Sequence, residues 1–137
     1  MRFYQASRLS RVLQTVLYVS MMVECVLLFF SHRHTYMAFF FLLLTAVQLH
    51  SLWNRFWEIT PDENLLSRAY GFRQTFPAAR VRYAGPARGI VDFPVSRNDI
   101  ELVIEGTPSK RYARVADRRE FIDELSRVSP QAEIIKF

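Results

Sequence analysis

Apolar residues crowd into the first part of the chain and alternate with polar ones in the second. Val12 to Phe30 (VLQTVLYVSMMVECVLLFF) and Tyr36 to Trp53 (YMAFFFLLLTAVQLHSLW) are two nearly unbroken apolar runs, parted by Ser31-His32-Arg33-His34-Thr35. At about 1.5 Å per residue the first run covers roughly 28 Å as a helix, enough to cross a bilayer. A linker this short makes the two helices antiparallel neighbours. Phe39 to Leu44 is apolar on every side, which a small soluble domain could not bury. A signal peptide is the rival for the first run. The run is longer than a usual signal core, no small-x-small site ends it, and a second run follows at once.

Beyond Trp57 the pattern shortens into strand-length segments divided by turn residues. Arg55–Thr60, Leu65–Tyr70, Phe72–Phe76, Arg80–Ala84, Asp99–Glu105 and Lys110–Val115 read as six strands, with Gly71 in a tight turn and an irregular stretch from Gly85 to Asn98. In DIELVIE, Ile100, Leu102 and Ile104 share one face. Asp117 opens a helix over residues 117–128 as its N-cap, with Glu120 in capping-box position. Its apolar stripe is Phe121, Ile122, Leu125 and Val128, and Ser129-Pro130 stops it. The fold class is therefore a membrane helical hairpin plus an α+β domain: residues 1–54 hold a basic segment and helices over 12–30 and 36–53, and residues 55–137 form an antiparallel barrel-like sheet closed by a C-terminal helix.

Charge follows the same division. The formal net charge is +5, but residues 55–137 hold 14 basic and 12 acidic side chains. A domain so near neutrality lacks the concentrated basic surface that nucleic-acid binding needs, so nucleic acid is not expected as a partner. Arg2, Arg8 and Arg11 precede the first apolar run, Arg55 follows the second, and the linker holds Arg33 alone. This bias places both termini on the cytoplasmic side of the membrane. Trp53, Phe56 and Trp57 are expected as an aromatic belt at that interface, with Tyr36 near the opposite one.

Five residues within the runs are candidates for intramembrane contact: Gln14, Glu24, Thr45, Gln48 and His50. Depth counted from the linker pairs Gln14 with His50, Tyr18 with Gln48, and Glu24 with Thr45. Glu24 lies about 120° around its helix from Tyr18, on a face shared with Leu17 and Ser20, which fits either a neighbour outside the hairpin or a neutral carboxyl bonded within it. His32 and His34 supply two imidazoles with no carboxylate or thiol beside them, short of the three or four ligands of a zinc site. The single cysteine, Cys25, allows no intramolecular disulfide. No Gly-rich phosphate loop, His-Glu-x-x-His pattern or nucleophile elbow is present, and no cofactor is implied. Arg80, Arg82 and Arg88, with Lys110 and Arg111, are the densest basic sets, read either as a solvated surface paired with Glu101, Glu105, Glu120 and Asp123 or as a surface for anionic lipid or a partner.

From Trp57 to Pro130 the order of WEITPDENLLSRAYGF, FRQTFPAARVRYAG, FPVSRNDIELVIEG, a short hairpin and DRREFIDELSRVSP resembles the bacterial pleckstrin-homology-like domains of the YyaB-like group, as does the pair of apolar helices before it. The chain departs from that group in Arg114-Val115-Ala116-Asp117, where an Ile-Ser-Pro-like sequence usually leads into the last helix. The resemblance implies a PH-like barrel and a non-catalytic binding or scaffolding role at the membrane, with lipids and a protein partner or a second copy of the chain as partners. Two alternatives are an accessory subunit whose hairpin makes the key contacts and an anionic-lipid-binding module.

Overall fold

The computed structural model describes residues 1–31, 35–69, 71–88 and 98–136. His32, Arg33, His34, Tyr70 and most of the irregular stretch read from Gly85 to Asn98 lie outside the described residues. The chain divides into two compact units, residues 6–54 and residues 1–5 with 55–137.

The first unit holds helices α1 (Arg8–Phe30) and α2 (Thr35–Asn54), both long and apolar enough to cross a membrane. Helix α1 begins four residues before the apolar run because Ser7 caps it, its hydroxyl accepting the Ser10 N–H at 3.2 Å. Near the other ends of the pair, Trp53 Nε1 donates to Thr15 Oγ1 at 2.8 Å and the Arg11 guanidinium lies 4.8 Å from the Trp53 ring centroid. The helices are therefore antiparallel.

Among the described residues the second unit is built of two four-stranded sheets. In the first, β1 (Arg2–Tyr4), β2 (Phe56–Ile59), β3 (Asn64–Ala69) and β4 (Phe72–Pro77) pair in sequence order, all antiparallel. Gly71 makes the β3–β4 turn at φ +83°, a conformation that side chains disfavour. In the second sheet β5 (Val81–Pro86), β6 (Ile100–Ile104) and β7 (Arg111–Ala113) are antiparallel, and β8 (Glu133–Ile134) joins β5 in parallel. Helix α3 (Arg118–Val128) starts on Asp117, whose carboxylate accepts the Glu120 N–H. Its stripe of Phe121, Ile122, Leu125 and Val128 is buried in one cluster with Trp57, Ile59 and Leu65 of the first sheet and Val81, Ile100 and Leu102 of the second. Beyond α3, Ser129 Oγ and Gln131 Nε2 both donate to Ala78 O, fastening the helix end to the 3-10 turn Ala78–Arg80 between the sheets.

Strand β1 corrects the division of the chain at residue 54. Residues 1–5 belong to the sheet unit rather than forming a basic flank of the first helix. Phe3 is buried and its ring meets Phe121 edge-on at 5.1 Å. Met1 and Ile59 exchange backbone hydrogen bonds, and the Ala116 N–H donates to Tyr4 O. The helical hairpin is thus an insertion between two paired strands. Three residues of strand ahead of a long apolar run carry no period by which to recognise them, which is why the pairing escapes sequence reading.

Phe3→Ala is expected to destabilise the sheet unit by about 3–5 kcal/mol, measured as a lowered denaturation midpoint; a loss below about 1 kcal/mol would place residue 3 outside the core. Because Tyr4 opposes Phe56, a two-residue Asn-Gly turn in place of residues 6–54 should close β1 onto β2 and yield a water-soluble, cooperatively unfolding domain.

Candidate functional site: a basic pocket braced by a buried carboxylate

Strand β6 carries Ile100, Leu102 and Ile104 inward, as its alternation predicts, yet Glu101 on the opposite face is also fully buried. Its carboxylate accepts the Arg88 backbone N–H at 2.7 Å and lies 3.4 Å from the Arg88 guanidinium and 3.3 Å from Lys110 Nζ. Arg88 in turn stacks on the Tyr83 ring, 3.5 Å from its centroid, while the Tyr83 hydroxyl donates to Pro86 O. Burial pushes the Glu101 carboxyl upward, but the Arg88 amide and the Lys110 ammonium outweigh it and hold it below the usual carboxylate range. Burial likewise pushes the Tyr83 phenol up. A buried carboxylate with this many donors is an anchor rather than a proton donor.

Lys110, held there, is also part of the wall of a pocket of about 330 Å³. The pocket takes its other cations from separate strands and junctions: Arg55 just before β2, Arg68 on β3 and Arg111 on β7. Gln5, Ser67, Gln74 and Tyr112 add neutral polar groups, and Trp57 and Phe56 line the apolar side. Among the described residues no carboxylate lines it. Arg111 sits opposite Leu102 and two residues from buried Ala113, on the core-facing side of its strand. Its guanidinium lies 5.6 Å from the Phe76 ring centroid, and its Nε is buried without a hydrogen-bond partner among the described residues.

Comparison with family models, with curated proteins and with solved structures finds no match to this chain. The geometry alone therefore carries the reading of the site.

The basic residues singled out by sequence density do not form one patch. Arg82 pairs with Glu105, Arg88 and Lys110 with Glu101, and Arg80 ends the 3-10 turn with its backbone O accepting the Glu105 N–H. Only Lys110 and Arg111 of that set line the pocket, joined by Arg55 and Arg68, which local density did not pick out because they lie far apart in sequence. Of the expected aromatic belt, Phe56 and Trp57 are buried, 4% and 9% exposed, since β2 runs between two neighbouring strands. Trp53 is partly exposed on α2 and Tyr36 is almost fully exposed.

The intramembrane candidates also separate. Gln14 donates to Ser10 Oγ on its own helix, His50 Nδ1 lies 3.3 Å from the Asn54 amide, and Thr45 Oγ1 donates to Phe41 O. The expected Gln14–His50 pair is thus replaced by bonds one turn away on each helix, and Thr15 with Trp53 forms a polar link between the helices. Glu24 and Gln48 are exposed on the hairpin surface. Among the described residues no three metal-ligating side chains come together.

Glu101→Gln keeps the acceptor for the Arg88 amide but removes the charge between two cations, and should cost about 1–3 kcal/mol. Because the folded carboxyl titrates below the unfolded one, Glu101 contributes stability above the unfolded value of about 4.3 and loses it as pH falls through the folded value. Denaturation midpoints of the two proteins should therefore differ most at neutral pH and converge in acid; a constant difference across that range would contradict the assignment.

Proposed function

We propose that the chain is a membrane-anchored, non-catalytic interaction module: α1 and α2 cross a bacterial cytoplasmic membrane, and the sheet unit is a cytoplasmic PH-like domain that binds a protein partner or a second copy. One observation carries the reading. None of the most apolar 18-residue window of α1 is buried, and only 17% of that of α2, whereas the sheet unit closes its own core from both sheets and α3. Leu13, Val16, Phe30, Phe39 and Phe40 are all at least 60% exposed. Apolar surface on every side of a helix pair is what lipid covers.

Pairing of β1 with β2 adds a constraint on topology. Residues that flank the hairpin on either side belong to one sheet, so both of its ends occupy the same side of any membrane it crosses. The Arg8, Arg11 and Arg55 flanks favour the cytoplasmic side. Antiparallel strands followed by a helix, the order of β2 to β7 and α3, support the PH-like reading.

A second reading has its own observation. Leu17, Ser20 and Glu24 are all exposed on α1, and a carboxyl group facing lipid is costly unless another membrane subunit covers it. In that reading the hairpin makes the essential contact of a larger complex.

After washing of native membranes with alkaline carbonate the chain should stay in the pellet, and its release would sink the membrane reading. Purification in mild detergent should then bring down a protein partner or an oligomer; an inert monomer would contradict the module. Loss of that assembly in Glu24→Ala, with retention in Arg80→Glu and Arg82→Glu, would transfer the contact to the hairpin, as would crosslinks from cysteines placed at Leu17, Ser20 and Glu24.

A further inference from the structure

The basic pocket of the sheet unit has the chemistry of a site rather than of a solvated surface. Six basic side chains elsewhere on the domain have a carboxylate in reach: Arg2, Arg82, Arg88, Arg114, Arg127 and Lys136. Arg68 and Arg111 have none among the described residues, as is also true of the exposed Arg73, Arg80 and Arg119, so it is burial that sets Arg111 apart. Arg111 is the more telling of the two. Its strand neighbour on the same face is core residue Ala113, its cross-strand partner is core residue Leu102, and its Nε–H is buried without an acceptor. A buried donor left unsatisfied costs about 1–3 kcal/mol, more when the group is charged. An arginine placed in this way is stabilised by an anion that enters from the open side of the pocket.

From this arrangement we infer that the pocket binds a phosphate group. Planar guanidinium forks match tetrahedral oxyanions bidentately, and the pocket wall draws Arg68 and Arg111 from strands of different sheets. Lys110 adds to the wall beside Arg111, while its ammonium is held by Glu101 on the other face of β6. Ser67, Gln5, Gln74 and Tyr112 provide uncharged donors for the substituent that the phosphate carries. About 330 Å³ is at the lower end of the range for small-ligand sites, enough for a phosphate with a compact polar substituent and too little for an acyl chain as well. The source of the phosphate is therefore either the headgroup of an anionic phospholipid or a small soluble phosphate ester. This binding needs no protein partner, and so stands or falls separately from the interaction reading.

Trp57 lines the pocket, and Trp53 is the chain's other tryptophan, so Trp53→Phe leaves one fluorescent reporter at the site. The full chain in nonionic-detergent micelles doped with phosphatidylcholine is titrated with inorganic phosphate, against chloride at matched ionic strength. A saturable change in Trp57 emission with phosphate and not with chloride is expected. Arg111→Gln should weaken it by about tenfold or more, a loss of one charged hydrogen bond, and Arg80→Gln outside the pocket should leave it unchanged. Should Arg111→Gln fail to fold by near-ultraviolet circular dichroism, Arg68→Gln on the exposed rim takes its place. Doping with phosphatidylglycerol separates the sources. If the lipid headgroup fills the pocket, the shifted emission is present before phosphate is added and the titration is blunted; if a soluble ester does, the titration is the same in both micelles. No saturable change in either micelle, an equal change with chloride, or equal loss in Arg80→Gln would overturn the assignment.

Discussion

The pairing of Arg2–Tyr4 with Phe56–Ile59 is the constraint on which the rest depends. It brings residues from the two sides of a long apolar excursion into one ladder and delivers Phe3 to the core against Phe121. Closing so long a loop costs little more than closing a short one, because the entropy grows only with the logarithm of length. Here the excursion is itself a closed element: antiparallel helices whose near ends are fastened by Thr15, Trp53 and Arg11. A helical hairpin and a strand pair both need their chain ends close together, so the insertion strains neither.

The same sheet unit organises its charges around one buried acid. Glu101 is removed from water and made stable there by an amide and two cations, and this fixes the direction of Lys110 and, through Tyr83, of Arg88. Removing such a carboxylate from its partners is costly, which makes the arrangement a positional device more than a source of net stability. Lys110 also joins Arg55, Arg68 and Arg111 in the wall of the pocket, where no described residue supplies a carboxylate.

Patterning made much of this legible in advance. Freedom from charge marked both helices, and α2 is found within one residue of its expected ends. Alternation located β6, and Asp117 with the Phe121, Ile122, Leu125 and Val128 stripe located α3. Failures fall where long-range contacts overrule local pattern. Strand β1 is too short to show a period, and α1 begins at Arg8 because a serine cap can recruit polar residues into a helix. Alternation put Glu101 on the outer face of β6 and charge density paired it with the basic set, but neither said that the carboxylate would be buried. The pocket was hidden for a related reason: its cations come from β3, β7 and the residue before β2, and no window of sequence holds them together.

Cross-strand disulfide formation tests the central pairing most directly. Met1 and Ile59 exchange backbone hydrogen bonds, so Arg2 and Glu58, the next pair in the ladder, face each other without bonds between them, where Cα atoms approach to about 4.5 Å and a disulfide fits. In a Cys25→Ser background, Arg2→Cys with Glu58→Cys should oxidise readily to an intramolecular disulfide in the folded full chain, whereas Arg2→Cys with Arg73→Cys should not. Absence of the first disulfide, or equal yields from the two pairs, would show that residues 2–4 are not a strand of this sheet and would contradict the account.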